Sequence, residues 1–201
     1  MKKLGFTLAE VLITLVIIGV IGALTVPALI QNTQKQEYVT ALKKAYSTLS
    51  QVTQQIIAEE GSPKGGWADT REHIWELYKN HLNVIKECRL TSECMTNKAA
   101  YLGGNGLNWG TDGKYSFILA DGAGAVIHSS VSPDCSNDRC AWIQIDINGK
   151  KAPNKWGRDL FEFKLTPNGL MPEGCTDGQV CPDYYGHDCA CKVLREGAMN
   201  Y

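Results

Sequence analysis

The sequence predicts an α+β protein in which a long N-terminal α-helix, apolar over its first half, packs against a C-terminal antiparallel β-sheet head held by disulfides. Three observations carry that prediction. An apolar run from Val11 to Ile30 passes directly into an amphipathic stripe. After Gly103 the punctuation changes to frequent Gly, Asn, Asp and Pro between short apolar segments, the pattern of strands and turns. All eight cysteines, at 88, 94, 135, 140, 175, 181, 189 and 191, lie beyond the apolar run.

The helix comes first. Val11 to Ile30 is 20 residues, roughly 30 Å as a helix, which matches the hydrocarbon core of a bilayer. A cleaved secretory signal has a shorter apolar core and an A-x-A-like site, and Ala23-Leu24-Thr25 is a poor match to one. Beyond Ile30, Tyr38, Leu42, Ala45, Leu49, Val52 and Ile56 recur at steps of four and three, a helical stripe with Gln, Lys, Thr and Ser on the other faces. Glu59-Glu60-Gly61-Ser62-Pro63 supplies the stop. A continuous helix from Phe6 to Glu60 would be on the order of 80 Å long. Pro27, with Gly19 and Gly22 upstream, lacks a backbone donor and crowds the preceding turn, so a kink is expected there, with or without a functional role.

Gly61 to Trp67 reads as a linker, and Asp69-Thr70-Arg71-Glu72 as a capping box opening a second helix whose apolar face is Ile74, Leu77, Tyr78, Leu82 and Ile85. Tyr115 to Ala120 and Ala125 to Ser129 form a hairpin across Asp121-Gly122-Ala123-Gly124. Ala141 to Ile147 and Phe161 to Leu165 are further strands, the latter alternating Phe161, Phe163 and Leu165 with Glu162 and Lys164. One face of this sheet, laid on the helix, would bury both apolar stripes together.

Charge and cysteine usage narrow the function. The formal charge of −1 becomes −3 if residues 1–5 depart with Lys2 and Lys3, which argues against electrostatic capture of nucleic acid. An even cysteine count confined to the region beyond a membrane indicates disulfides in an oxidising compartment. The alternative, a zinc protein, would favour CxxC pairs, and the spacings are C-x5-C, C-x4-C, C-x5-C and C-x-C. Cys88 with Cys94 and Cys135 with Cys140 bracket polar turns and are expected to close local loops. Cys175, Cys181, Cys189 and Cys191 would pair among themselves in an order the sequence leaves open, stapling a region poor in apolar residues. His187 beside Cys189 and Cys191 admits zinc as a lesser alternative, whereas His73 and His81 read as surface or packing residues. The chain has no G-x-S-x-G or H-E-x-x-H, and Gly113-Lys114 lacks the rest of a phosphate-binding loop, so no catalytic residues are expected.

The segment GFTLAEVLITLVIIGVIGALTVPAL closely resembles the class III leader and N-terminal helix of type IV pilins and type II secretion pseudopilins, over about residues 2–30. The resemblance implies a pilin-like fold, and a division into a prepilin leader 1–5, a transmembrane and assembly helix 6–60 and a globular head 61–201. It implies cleavage between Gly5 and Phe6 by a membrane prepilin peptidase, which then methylates the Phe6 amine. It implies an inner-membrane precursor with its head in the periplasm, and partners that are copies of itself or other pilins together with inner-membrane assembly machinery powered by an ATPase elsewhere. Lys2 and Lys3 would hold the leader on the cytoplasmic side, as the positive-inside rule also predicts.

Glu10 is the residue on which that picture turns. A carboxylate at depth in a bilayer costs roughly 2.5 to 3.5 kcal/mol, which calls for a partner. The α-amino group freed on Phe6 is cationic near neutral pH, and in a staggered filament the amine of an incoming subunit can meet Glu10 of a docked one. The alternatives for Glu10 are snorkelling to headgroups or complementing the helix dipole. In the head, Asp146-Ile147-Asn148-Gly149 followed by Pro153-Asn154, Gly157 and Asp159-Leu160-Phe161 is similar to a loop of some pilin-like heads. Its oxygens could hold calcium, although a turn held by Asx hydrogen bonds is favoured because the spacing departs from the D-x-[DN]-x-[DN]-G loop. The functional expectation is a structural subunit of a type IV pilus or type II secretion pseudopilus. The alternative is a membrane-anchored, disulfide-stabilised binding module or adhesin that does not polymerise.

Overall fold

The computed structural model describes residues 5, 7–96, 98–108, 115–128, 130–176 and 181–201. The expected features at Lys2, Lys3, Phe6, Gly113, Lys114 and Ser129 lie outside the described residues. The chain divides into two compact units, Met1–Glu37 and Tyr38–Tyr201.

The first unit carries the start of α1 (Leu8–Glu60), which continues across Pro27. Among the described residues the helix opens at Leu8, with Thr7 at its N-terminal boundary: the Glu10 N–H donates to Thr7 Oγ1 at 3.3 Å. Its apolar side chains, Val11 through Ile30, are exposed within the single chain. Three threonines on this stretch turn their hydroxyls back onto helix carbonyls, Thr14 to Val11, Thr25 to Ile21 and Thr33 to Leu29, each at about 3 Å. That leaves the helix surface almost wholly hydrocarbon.

The second unit begins on the same helix at Tyr38. Val39, Leu42, Ala45, Leu49, Val52 and Ile56 are its buried row. The sheet they meet is six-stranded and antiparallel in the order β1 (Val84–Cys88), β4 (Ser116–Leu119), β5 (Gly124–Ile127), β6 (Ala141–Asp146), β7 (Leu160–Thr166), β8 (Gly169–Pro172). A separate pair is formed by β2 (Lys98–Ala100) and β3 (Gly106–Asn108). Register stacks Ile127 beside Ile143, Ile143 beside Phe163, and Ala141 beside Leu165, so one face is continuous hydrocarbon. This face shares one core with the helix row. Tyr46 lies 5.6 Å from Phe163 between ring centroids, and Trp75 stacks on Phe117 at 4.6 Å. At roughly 1.5–3 kcal/mol for each large apolar side chain buried, this seam is the main source of the head's stability.

Several sequence expectations are corrected here. The second helix, α2 (Arg71–His81), takes Thr70 as its N-cap rather than Asp69, with the His73 N–H donating to Thr70 Oγ1 at 3.1 Å. Asp69 is engaged elsewhere, accepting from the Thr70 N–H and facing His73 Nδ1. Ile85 is not on this helix: Leu82 turns extended, its N–H closes on the Tyr78 carbonyl, and the chain enters edge strand β1, where Ile85 is 64% exposed. The expected linker is packed, with Trp67 and Ala68 in the core and the Trp67 indole donating to the Gly61 carbonyl. Nor does the C-terminal region rest on disulfides alone, since α4 (Cys189–Glu196) places Ala190 and Val193 in the main core.

The other sheet face is covered as well. Strand β7 keeps its alternation, yet Glu162 and Lys164 are buried too, and Gln144 Nε2 donates to Glu162 Oε1 at 2.7 Å. Over Gly124 the short helix α3 (Thr91–Cys94) approaches so closely that a Cβ would collide with the Cys94 carbonyl oxygen. Glycine is required there for contact, not for a turn. Cys94, Met95, Val126, Trp156 and Leu160 form a second, smaller core on this side.

Candidate functional site

At the N-terminus, Gly5 is exposed and Thr7 and Glu10 form a reciprocal cap. The Thr7 N–H and hydroxyl both donate to Glu10 Oε2 at 2.8 Å, and the Glu10 N–H returns to Thr7 Oγ1. This is a capping box, and Thr7-Leu8-Ala9-Glu10 is its sequence signal, although sequence reasoning did not draw on it. Both bonds fall on Oε2, so among the described residues Oε1 carries none. Glu10 is thus held in place while one oxygen stays available.

The eight cysteines form four disulfides, Cys88–Cys94, Cys135–Cys140, Cys175–Cys191 and Cys181–Cys189. Cys189 and Cys191 are both in disulfides, so neither offers a thiolate to a zinc ion beside His187. Its ring stacks on Trp156 at 4.0 Å and its Nδ1 lies 3.8 Å from Glu162 Oε2. His73 pairs with Asp69, and His81 bridges the Leu77 carbonyl at 2.8 Å and Glu59 at 3.0 Å.

The turn between β6 and β7 concentrates buried oxygen. Asp159 acts as a local anchor: its carboxylate accepts from the Asn154 N–H at 2.7 Å, the Lys155 N–H at 2.6 Å and Asn148 Nδ2 at 3.2 Å. That part is the Asx-held turn expected from the sequence. Asp146 is different. It is fully buried, and neither carboxylate oxygen has a hydrogen-bond partner among the described residues. Burial first, and the neighbouring Asp159 second, push its pKa up to about 8; backbone N–H groups of Asn148 and Thr96 oppose the shift without completing hydrogen bonds. The amide oxygens of Asn148 and Asn154 are buried and unpartnered as well. Leaving one such group unsatisfied costs about 1–3 kcal/mol. Among the described residues no group of three or more His, Cys, Asp or Glu side chains is placed to hold a metal ion.

Residues 1–26 match the prokaryotic N-terminal methylation motif, and residues 28–197 match a family of unknown function, DUF6613. The chain belongs to that family. Its N-terminus is a type IV pilin or pseudopilin class III signal, on a pilin-like α+β fold. By that motif it is a pilin-type precursor, and its apolar first helix fits membrane anchoring. No curated protein and no solved structure matches the chain.

Proposed function

We propose that this protein is a structural subunit of a type IV pilus or type II secretion pseudopilus. It waits in the inner membrane with its head in the periplasm, is cut between Gly5 and Phe6, methylated on Phe6, and enters a filament through α1. Residues 1–5 are then a leader, 6–60 the membrane and assembly helix, and 61–201 the head. The observation that carries this reading is Glu10, held by Thr7 at the start of an otherwise apolar and exposed helix.

The mechanism follows from that geometry. In lipid, an isolated apolar helix needs no charged group, and a buried carboxylate without a counter-charge is strongly unfavourable. Oε2 is occupied by Thr7, so the incoming Phe6 amine of a second subunit takes Oε1. Methylation to a secondary amine preserves that charge. The ion pair sets the axial register of addition, while exposed Val, Ile and Leu side chains of neighbouring helices supply packing area. The second reading, an anchored module that never polymerises, predicts indifference to Glu10. Substituting Glu10→Gln and measuring filament yield beside membrane insertion separates the two.

A further inference from the structure

We propose that the head carries both halves of a contact between copies of this chain: the tyrosine knob Tyr184-Tyr185 of one copy seats in the cleft beside Leu82 of the next. The inference rests on the filament reading and names a head contact within it.

The knob is bare and rigid. Tyr184 is 47% and Tyr185 54% exposed, and among the described residues no other Phe, Tyr or Trp side chain is exposed. Their backbone is fixed. The Leu102 N–H donates to the Tyr185 carbonyl at 3.2 Å, the Gly103 N–H donates to the Tyr184 carbonyl at 2.8 Å, and the Asp183 carboxylate accepts from the N–H groups of Tyr185 and Gly186. The rings are fixed as well. Tyr185 stands edge-on to Tyr101 at 5.0 Å and to Tyr184 at 5.4 Å between centroids, and Tyr184 lies on Gly103, where a Cβ would collide with the ring. The Cys181–Cys189 disulfide ties the segment to α4. Rings ordered in advance lose little entropy on docking, and tyrosines are common anchors of protein interfaces.

The receiving cleft lies between α1 and the β1 edge of the sheet. Thr48, Leu82, Leu119 and Ala120 wall a space of about 120 Å³, beside the Lys44–Asp121 ion pair at 3.0 Å. A cavity of about 150 Å³ encloses benzene, so this open cleft takes most of a phenol ring. Leu82 also walls a second open cleft of about 250 Å³ along β1, with Val84, Ile85, Lys79 and Lys86. Ile85 is 64% exposed and sits at a register shift between Val84 and Lys86. Such a bulge blunts strand pairing at an edge, so this edge offers side chains rather than backbone.

Knob and cleft cannot meet within one chain. His187, two residues from Tyr185, faces Glu162 of β7 at 3.8 Å, and β7 lies four strands from β1, about 19 Å across the sheet. Their charges match. Asp183 and Asp188 flank the tyrosines; burial, then Asp183 and Glu173, push the pKa of Asp188 up, while the Lys192 ammonium is spent on the Cys181 carbonyl. The two clefts carry three lysines, Lys44, Lys79 and Lys86, against two carboxylates, Asp121 and Glu87. A contact that joins two different surfaces of identical subunits repeats without closing on itself, which is the symmetry of a helical filament.

The test places photoreactive p-benzoylphenylalanine at position 185 of the full chain and irradiates it both in sheared filaments and as subunit in detergent, with adducts mapped by mass spectrometry. Expected is a two-chain adduct joining position 185 to residues 44–48, 82–87 or 119–121. Ala120→Trp fills the cleft, and Lys44→Glu sets a second carboxylate beside Asp121 where the acidic knob would dock; both positions are exposed. Each variant should lower the adduct at least about tenfold with insertion, leader cleavage and four disulfides intact. Ala120→Trp decides, and Lys44→Glu decides if Ala120→Trp does not fold. Where filaments form, cleft adducts in them uphold the contact. Adducts only to other peptides or another protein, or none, overturn it and leave the Glu10 reading intact. Where the chain with wild-type Glu10 forms no filaments, that reading falls, and the subunit in detergent decides the contact by the same mapping. Adducts undiminished in the deciding variant also overturn it.

Discussion

Thr7 donates twice to a single oxygen of Glu10, through its N–H and its hydroxyl, both at 2.8 Å. One residue thereby caps α1, shields half of a carboxylate and leaves the other half facing outward. Replacing Thr7 by Val removes the hydroxyl but keeps the shape. The first turn should lose about 1 kcal/mol, seen as roughly fivefold faster amide exchange at Glu10 and Val11 in detergent. Unchanged exchange would mean that the cap does not hold in the membrane-like setting.

A second pair tests the core. Tyr78 and Thr53 meet at 2.5 Å, and Thr53 Oγ1 also donates to the Leu49 carbonyl at 2.6 Å, so Tyr78 is the donor. Both side chains are fully buried. Thr53→Val strands a buried phenol and should cost about 1–3 kcal/mol, whereas Tyr78→Phe leaves Thr53 with its helix bond and should cost about 1 kcal/mol. Denaturant melts of the two variants should rank them in that order.

His81 makes the head sensitive to pH. The Leu77 carbonyl, and then Glu59, raise its pKa above 6.5. A folded pKa above the unfolded one stabilises fully below the unfolded value and is lost as pH rises through the folded value. Stability should therefore decline from pH ~6.5 upward through the raised value, and Glu59→Gln should narrow that window. NMR titration of the His81 ring beside melts across that range would read both.

The disulfides should differ in weight. Cys175–Cys191 spans a separation of 16 residues and Cys135–Cys140 one of 5. By loop-closure entropy the first contributes about 3 kcal/mol and the second about 2 kcal/mol. Paired Cys→Ser variants should melt in that order, the 175/191 variant lower.

Much of this fold was legible in the sequence because its period is strong. Leu42, Leu49 and Ile56 mark a helical face over several turns, and Phe161, Phe163 and Leu165 mark a strand. Strand β1 was not legible: it is an edge, with Ile85 turned to solvent where a helical face would have buried it. Helix α4 was hidden because Cys189, Ala190 and Val193 are too few to declare a period. The short Cys88–Cys94 and Cys135–Cys140 loops follow from neighbouring positions, but the pairing of the last four depends on how α4 packs. The turn from Asp146 to Asp159 was singled out in the sequence for its oxygens, but that Asp159 is hydrogen-bonded while Asp146 is buried without a partner among the described residues depends on how the strand end packs, which no linear motif records.

Filament yield of a Glu10→Gln variant is the most direct measure of the account, taken as subunit recovered in sheared filaments or pseudopili relative to membrane-inserted, Gly5-cleaved subunit in the same cells. The account predicts normal insertion, loss of the first five residues and four intact disulfides, with filaments reduced at least about tenfold, since an amine facing a neutral amide loses its ion pair in lipid. Wild-type filament yield from the Glu10→Gln subunit would contradict it.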